Sequence, residues 1–361
     1  MGLPELTFAL KKAADTVSMR VSNGIVALIL RDAKANGVYT IHRESDIPAE
    51  LGQDNAAAIK RAMIGYINQP TRVYVSVISP EADISVGFTT LASYNYDYLA
   101  GPLEYQEGET TALAGLVKAQ RKKRFIGKVV LPNTEADDEG VINFTAENIK
   151  VGAQTFTAAQ YAGRIAGMLA GTPSDCSATS AALPEVTGVD AIDSPDAAVD
   201  AGKLILVNDG RQVKLGRAVT SKVKLGAGED ALLKKIKLVG AVDLMRYYAI
   251  TSVEDQYLGK CANSYDNKCI LLAAFRDFFE TLEGQSVLLR GSSGSELDAA
   301  AIREYLLSEA EDTGGSQEIA RIKALSDEEL RKEDTGSHVF LFLYGKVLDA
   351  MEDFHITLEA Q

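Results

Sequence analysis

Gly24-Ile25-Val26-Ala27-Leu28-Ile29-Leu30 is an unbroken apolar run. A strand with one wet face alternates polar and apolar side chains. A run without alternation suits a strand covered on both faces, as in parallel sheets flanked by helices. Outward from this run, strand-like and helix-like segments take turns. Residues 54–67 are Ala-rich, with Ile59, Met63 and Ile67 at helical spacing, and stop before Pro70. Residues 72–79 are β-branched and read as a strand. Residues 83–94 place Ile84, Phe88 and Leu91 on one helical face. A short strand near Tyr98, a helix over 109–123 and a strand over 125–131 follow. This order predicts an α/β sandwich domain with a mostly parallel sheet.

Further along, 140–145 reads as a strand and 158–169 as a helix. Between Ile165 and Gly202 there is no Lys or Arg, and 172–201 reads as mostly surface loop with short ordered pieces. Asn208-Asp209-Gly210 then predicts a hairpin joining 203–207 to 212–219. The last third changes character. Helices are expected over 232–248 and over 269–282, the latter carrying Leu272, Phe275, Phe279 and Leu282 and ending at Gly284. Another is expected over 295–309 with Ser295 as N-cap. A further helix over 326–332 opens with a capping box of Ser326 and Glu329. Residues 339–347 and 354–358 return to strand. The predicted division is an arm over 1–20, an α/β domain over 21–235, a C-terminal α+β domain over 236–345 and a second arm over 346–361.

Both ends alternate with period two. Leu6, Phe8 and Leu10 are separated by Thr7 and Ala9, and Phe354, Ile356 and Leu358 by His355 and Thr357. Each reads as a half-buried strand. Such strands can pair within their own fold. They can also join the sheet of a neighbouring copy, with main-chain hydrogen bonds supplying affinity and alternate side chains supplying register. The second arrangement makes the chain a polymer subunit.

Composition narrows the class. Over 361 residues, 46% hydrophobic and 24% charged side chains suffice for a real core. With 37 Lys and Arg against 50 Asp and Glu, the net charge of -13 makes a poor general binder of nucleic acid or anionic membrane. No stretch approaches the ~20 apolar residues of a membrane span, and no signal peptide is expected. Cys176, Cys261 and Cys269 form no CxxC pair and read as reduced cysteines of a cytosolic protein, where the Asn143-Phe144-Thr145 sequon goes unglycosylated.

Nothing in the chain reads as catalytic, cofactor-binding or metal-binding. The first strand runs into Arg31-Asp32-Ala33-Lys34, without the glycines of a dinucleotide site, and no Walker A sequence occurs. His42, His338 and His355 lie far apart in sequence. Ser292 and Ser293 sit in a Gly-Ser stretch that reads as flexible. The acidic loop 133–140 has Asp138 where a calcium loop needs glycine and Phe144 where it needs glutamate. Gly163, Gly167 and Gly171 predict close packing of a helix on the sheet. Arg121-Lys122-Lys123-Arg124 reads as favourable charge at a helix C-terminus or as a partner-binding patch. A structural, self-assembling subunit is the leading reading, with a cytosolic α/β enzyme or nucleotide-binding protein as the alternative.

Four segments carry a resemblance. They are Gly140-Val141-Ile142-Asn143-Phe144-Thr145, Ala166-Gly167-Met168-Leu169-Ala170-Gly171-Thr172-Pro173, Ser264-Tyr265-Asp266-Asn267-Lys268-Cys269 and Lys346-Val347-Leu348-Asp349-Ala350-Met351-Glu352-Asp353. In order and spacing the chain resembles contractile tail sheath proteins. The short form of phages, defective prophages and phage-tail-like bacteriocins of Gram-positive bacteria is the nearest. The resemblance implies a non-enzymatic subunit without cofactor, assembled in the bacterial cytoplasm into a sleeve of stacked hexameric rings around an inner tail tube. Its implied partners are itself, the tube protein, and baseplate and tail terminator proteins, with no nucleic acid and no direct membrane insertion. The sleeve would contract to drive the tube through a cell envelope. Exchanged terminal strands, here Leu6, Phe8, Leu10, Phe354, Ile356 and Leu358, would complete a neighbour's C-terminal domain. Arg321 and Lys323 are candidates to face the tube or to form an ordinary solvated helix face. Large outer insertions are missing, so surface decoration is not expected. A tube protein fits less well, because those are smaller β-barrels.

Overall fold

The computed structural model describes residues 24–123, 125–312 and 315–359. They form two compact units, 24–244 with 349–359, and 245–348.

The first unit is built on an eight-stranded sheet. In chain order come β1 (Ile25–Arg31), β2 (Gly37–Ile41), α1 (Gln53–Met63), β3 (Arg72–Ile78), α2 (Ile84–Leu91), β4 (Tyr98–Ala100), α3 (Glu109–Arg121), β5 (Lys128–Pro132), β6 (Val141–Thr145), the small hairpin β7 (Ile149–Val151) and β8 (Gln154–Phe156), α4 (Ala158–Ala170), α5 (Pro195–Asp200), β9 (Lys203–Asn208) and β10 (Val213–Leu215). The spatial order is β10-β9-β6-β5-β4-β1-β3-β2. All neighbours run parallel except the two edges, β2 on β3 and β10 on β9. The expected mostly parallel sheet is therefore present, and the apolar run from Ile25 lies at its centre between β3 and β4.

Successive residues of β1 point to opposite faces. Val26, Leu28 and Leu30 join Ile59 and Ala62 of α1 and Tyr161, Ile165 and Met168 of α4 in one core. Ala27 and Ile29 join Ile84, Phe88 and Leu91 of α2 and Leu113 and Val117 of α3 in the other. Continuous hydrophobicity was required because both faces are covered.

Three local expectations change. The helix expected to Ile67 ends at Met63, because Gly65 turns left-handed (φ 68°) and Ile64 and Ile67 face outward. The glycines of α4 serve more than the sheet. Gly163 meets Leu28, but a Cβ on Gly167 would lie 1.9 Å from the Ala62 carbonyl oxygen, and one on Gly171 would lie 2.1 Å from that of Asn68. Close approach of α4 to α1 is what excludes a larger residue. The loop 172–201 is not merely surface. Ala178, Ala181, Leu183 and Val186 are buried in the core, and Leu183 N–H donates to the Val213 carbonyl of β10.

α6 (Ile236–Ser252) starts in the first unit. The second unit contains α7 (Tyr265–Gly284), β11 (Gly294–Leu297), α8 (Ala299–Asp312), α9 (Ser316–Ala324), α10 (Asp327–Leu330) and β12 (Leu341–Tyr344). Phe275, Phe279 and Leu282 of α7 are buried, and the Phe278 ring stacks on Tyr248 at 3.5 Å. Ser295 does not cap a helix. It lies in β11, which pairs antiparallel with β12, and Asp298 caps α8 by accepting from the Ala301 N–H at 3.0 Å. The capping box at Ser326 and Glu329 is formed as expected. Ser292 and Ser293 are not slack. The Glu283 carboxylate accepts from the N–H groups of Gly291 and Ser293 and from the Ser293 hydroxyl.

The expected strand at 354–358 is absent from the isolated chain. Phe354, Ile356 and Leu358 carry no regular structure and are 68%, 85% and 87% exposed. A strand needs an edge to pair with, and none of the described strands meets this segment. Leu6, Phe8 and Leu10 lie outside the described residues.

Candidate functional site

The root of the C-terminal segment is the most organised polar site involving an end of the chain. Backbone pairing builds its floor. Val219 and Lys235 form an antiparallel bridge, Ile236 N–H donates to the Ala218 carbonyl, and Ala218 N–H donates to the Thr179 hydroxyl at 3.0 Å. Three distant stretches of sequence thereby bring Ser177, Thr179, Arg217 and Lys235 together.

Glu352 enters this floor with a side chain only 5% exposed. Its Oε1 accepts from Ser177 Oγ at 3.0 Å and Thr179 Oγ1 at 2.6 Å, and its Oε2 from Lys235 Nζ at 2.8 Å, with Arg217 Nη1 at 3.5 Å. Asp349 takes a second contact to Lys235, and Asp353 pairs with Arg217. Burial pushes the Glu352 carboxyl up, but the hydrogen bonds from Lys235, Thr179 and Ser177 outweigh it and hold the group below its ordinary range. For Lys235, burial acts downward and is overcome by the Asp349 and Glu352 carboxylates, leaving the ammonium more firmly protonated than usual. The segment 346–353 stands out in the sequence only through its resemblance, and nothing there marks the partners Ser177, Thr179, Arg217 and Lys235, each more than a hundred residues from Glu352.

The remaining candidates separate. Arg321 is exposed and held between Glu318 and Glu333 at 2.8 Å each, and Lys323 is exposed on the same helix, α9. Arg121 lies in the last turn of α3, as the helix-terminus reading has it, but it is no surface patch. It is buried, donates from Nη1 and Nη2 to Asp243 at 3.0 and 2.8 Å and to the Ile126 carbonyl, while Lys128 Nζ donates to Asp243 at 2.6 Å. Burial raises the Asp243 carboxyl, and the two cations more than reverse that, so it stays ionised. The acidic loop also works internally. Asp137 accepts from the N–H groups of Val223 and Lys224, and Asp138 from that of Gly140. Among the described residues no group of three His, Cys, Asp or Glu side chains is arranged to hold a metal. A cavity of about 80 Å³ beside Lys128, Asp243 and Lys237 is far below the ~300 Å³ of a small-molecule site.

An arrangement that organises an end of the chain and leaves apolar residues beyond it suits assembly better than catalysis. No family model matches the chain. It is, however, 32% identical over 365 aligned residues to the tail sheath protein of Clostridium phage phiCD119, covering 99% of both chains. The chain belongs to the tail sheath proteins. Solved structures agree on the fold. A sheath tail protein of Listeria innocua superposes with a TM-score of 0.65 at 13% identity, over 78% of this chain and 90% of that one. A sheath tail protein of Desulfitobacterium hafniense gives 0.62 at 14% identity, over 82% and 93%. A chain of the anti-feeding prophage baseplate gives 0.67 at 11% identity, over 100% and 99%. This tail sheath protein is a structural component of a phage or phage-like tail, not an enzyme. None of its described helices is long and apolar enough to cross a membrane.

Proposed function

We propose that this tail sheath protein polymerises as stacked hexameric rings around an inner tube and contracts to drive that tube through a target cell envelope. Copies are joined by exchanged terminal strands. The observation that carries the reading is the tail at 354–358, whose alternating Phe354, Ile356 and Leu358 are exposed and unpaired directly beyond a buried anchor. An alternating segment that meets no strand among the described residues has the chemistry of one made for another chain. The acceptor is the β11–β12 pair of a neighbour, a two-stranded sheet with no third strand among the described residues. Two-stranded sheets are marginal alone and gain from added strands. Leu6, Phe8 and Leu10 play the matching role at the other end, and residues 236–345 face the tube, with Arg321 and Lys323 as contacts. The further partners are baseplate and tail terminator proteins, and assembly takes place in the bacterial cytoplasm.

A head-to-tail contact that does not close on itself gives an open helical polymer. Contraction requires no nucleotide if the extended packing is trapped behind a barrier and the contracted one is lower. The six-fold symmetrised baseplate containing the anti-feeding prophage chain is consistent with rings of six. Electron microscopy of the purified protein tests the reading. Striated sleeves or short tubes are expected from the full chain, and only monomers after removal of residues 352–361. Normal sleeves from the truncated chain would overturn strand exchange by this arm.

A further inference from the structure

The tail leaves the first unit at one residue whose side chain is buried, and its neighbours show how unusual that is. Met351 is 85% exposed and Phe354 68%, yet the Glu352 side chain between them is 5% exposed. It has four partners from three separate stretches, Ser177 and Thr179, Arg217, and Lys235. On either side, Asp349 and Asp353 share the same two cations. Two bases thus hold three acids, and only the central acid also takes two hydroxyls.

We propose that Glu352 is a positioning residue for assembly, an anchor that fixes where the donated arm departs and so sets its reach into the neighbouring copy. The proposal rests on the strand-exchange reading above and assigns the residue that makes it efficient. With the anchor closed, the arm from Phe354 to Gln361 is eight residues, which at ~3.3 Å per residue spans at most ~26 Å. Its acceptor edge must begin within ~7 Å of Glu352, two residues at ~3.3 Å each, and run along that span. With the anchor open, the tether grows from Asp353 alone to the whole of 349–353. Effective concentration falls roughly as the −3/2 power of tether length, which here is about tenfold.

Removal of the Glu352 charge leaves no cation stranded, because Lys235 still has Asp349 and Arg217 still has Asp353, but those acids are 40% and 67% exposed and such surface pairs hold the backbone too weakly to keep the root closed. Glu352→Gln therefore folds, and Lys235→Met provides a second variant that loses the same contact from the other side. In the full chain, three quantities are read: thermal midpoint of the unassembled protein, backbone order of 349–353 by NMR relaxation, and the initial assembly rate by light scattering. The expected result is a midpoint within about 3 °C of the parent, a root that becomes as mobile as the tail beyond it, and about tenfold slower assembly that recovers when the concentration is raised tenfold. Assembly at the parental rate with a loosened root would overturn the anchor, as would a root that stays ordered. If the same preparation shows that removing 352–361 abolishes assembly, strand exchange survives that failure. If the truncated chain assembles normally, strand exchange is lost and the anchor with it.

Discussion

Val26, Leu28 and Leu30 of β1 and Phe354, Ile356 and Leu358 of the tail share the same spacing and similar hydrophobicity, yet the first three are at most 1% exposed and the last three at least 68%. The difference lies in the partners each segment finds. β1 has β3 on one side, paired from Ile25 with Arg72 to Arg31 with Ile78, and β4 on the other. The tail follows the buried Glu352 side chain and meets no strand among the described residues. Alternation along a chain specifies that a segment can be a strand. It does not say whose sheet that strand enters. In a polymer the missing edge belongs to another copy, and on the proposed reading the contrast between core and tail is how one sequence encodes both a subunit and a lattice.

The buried charges give the strongest way to break this contrast. Asp243→Ala would leave Arg121 and Lys128, with side chains 7% and 4% exposed, without their shared carboxylate. Loss of one partner from a buried ion pair costs ~3–5 kcal/mol, measurable by denaturant unfolding of the unassembled chain. Next in size is a matched pair of truncations. Leu28→Ala is expected to cost ~2–5 kcal/mol by the same measurement. Ile356→Ala should stay within ~0.5 kcal/mol while reducing assembly. A large unfolding penalty for Ile356→Ala would mean that the tail packs on its own subunit. Gly167→Val sharpens the comparison inside the core. Its Cβ would fall 1.9 Å from the Ala62 carbonyl oxygen, and separating α4 from α1 is expected to cost at least ~1–3 kcal/mol in thermal unfolding.

The smallest effect is a pH dependence confined to the root. Glu352 is held below the ordinary glutamate value of 4.5, because burial, which raises it, is outweighed by hydrogen bonds from Lys235, Thr179 and Ser177. A carboxyl depressed by folding contributes its stabilisation in full above the unfolded value and loses it as pH falls through the folded one. The groups facing it, Lys235 and Arg217, remain cationic throughout that window, and the side chains of Asp349 and Asp353 lie beside it on the same two cations. Chemical-shift titration should therefore show 349–353 loosening below pH 4.5 while β1 is unchanged. An unchanged root down to the global acid transition would contradict this.

What could be read from sequence follows the range of the interactions. β1, α2 and the β9–β10 hairpin are recognisable because their signals are local: an apolar run, the helical stripe of Ile84, Phe88 and Leu91, and Asn-Asp-Gly at the turn. The Ser326 capping box is local for the same reason. Ser295 was misread because the strand that claims it, β12, follows some fifty residues later, and a Ser before an Ala-rich stretch looks like a cap. Arg121 looked like one charge in a basic cluster because its partner lies on α6. The burial of Ala178 and Leu183 was masked by the Ser and Pro residues around them. The Glu352 anchor had no local signal at all, since its partners were assembled by the fold. The alternation at the two ends is a local signal, but what each end pairs with is, on the proposed reading, a property of more than one chain.

The central claim is tested most directly by hydrogen exchange at the amides of 354–358, measured in the isolated chain and again in assembled sleeves. In the isolated chain these amides should exchange at the rate of unstructured peptide. In sleeves they should be slowed by ~100-fold or more, as main-chain bonds to a neighbouring sheet require. Equal and rapid exchange in both states would show that the tail remains unpaired in the polymer, and would contradict strand exchange at this end.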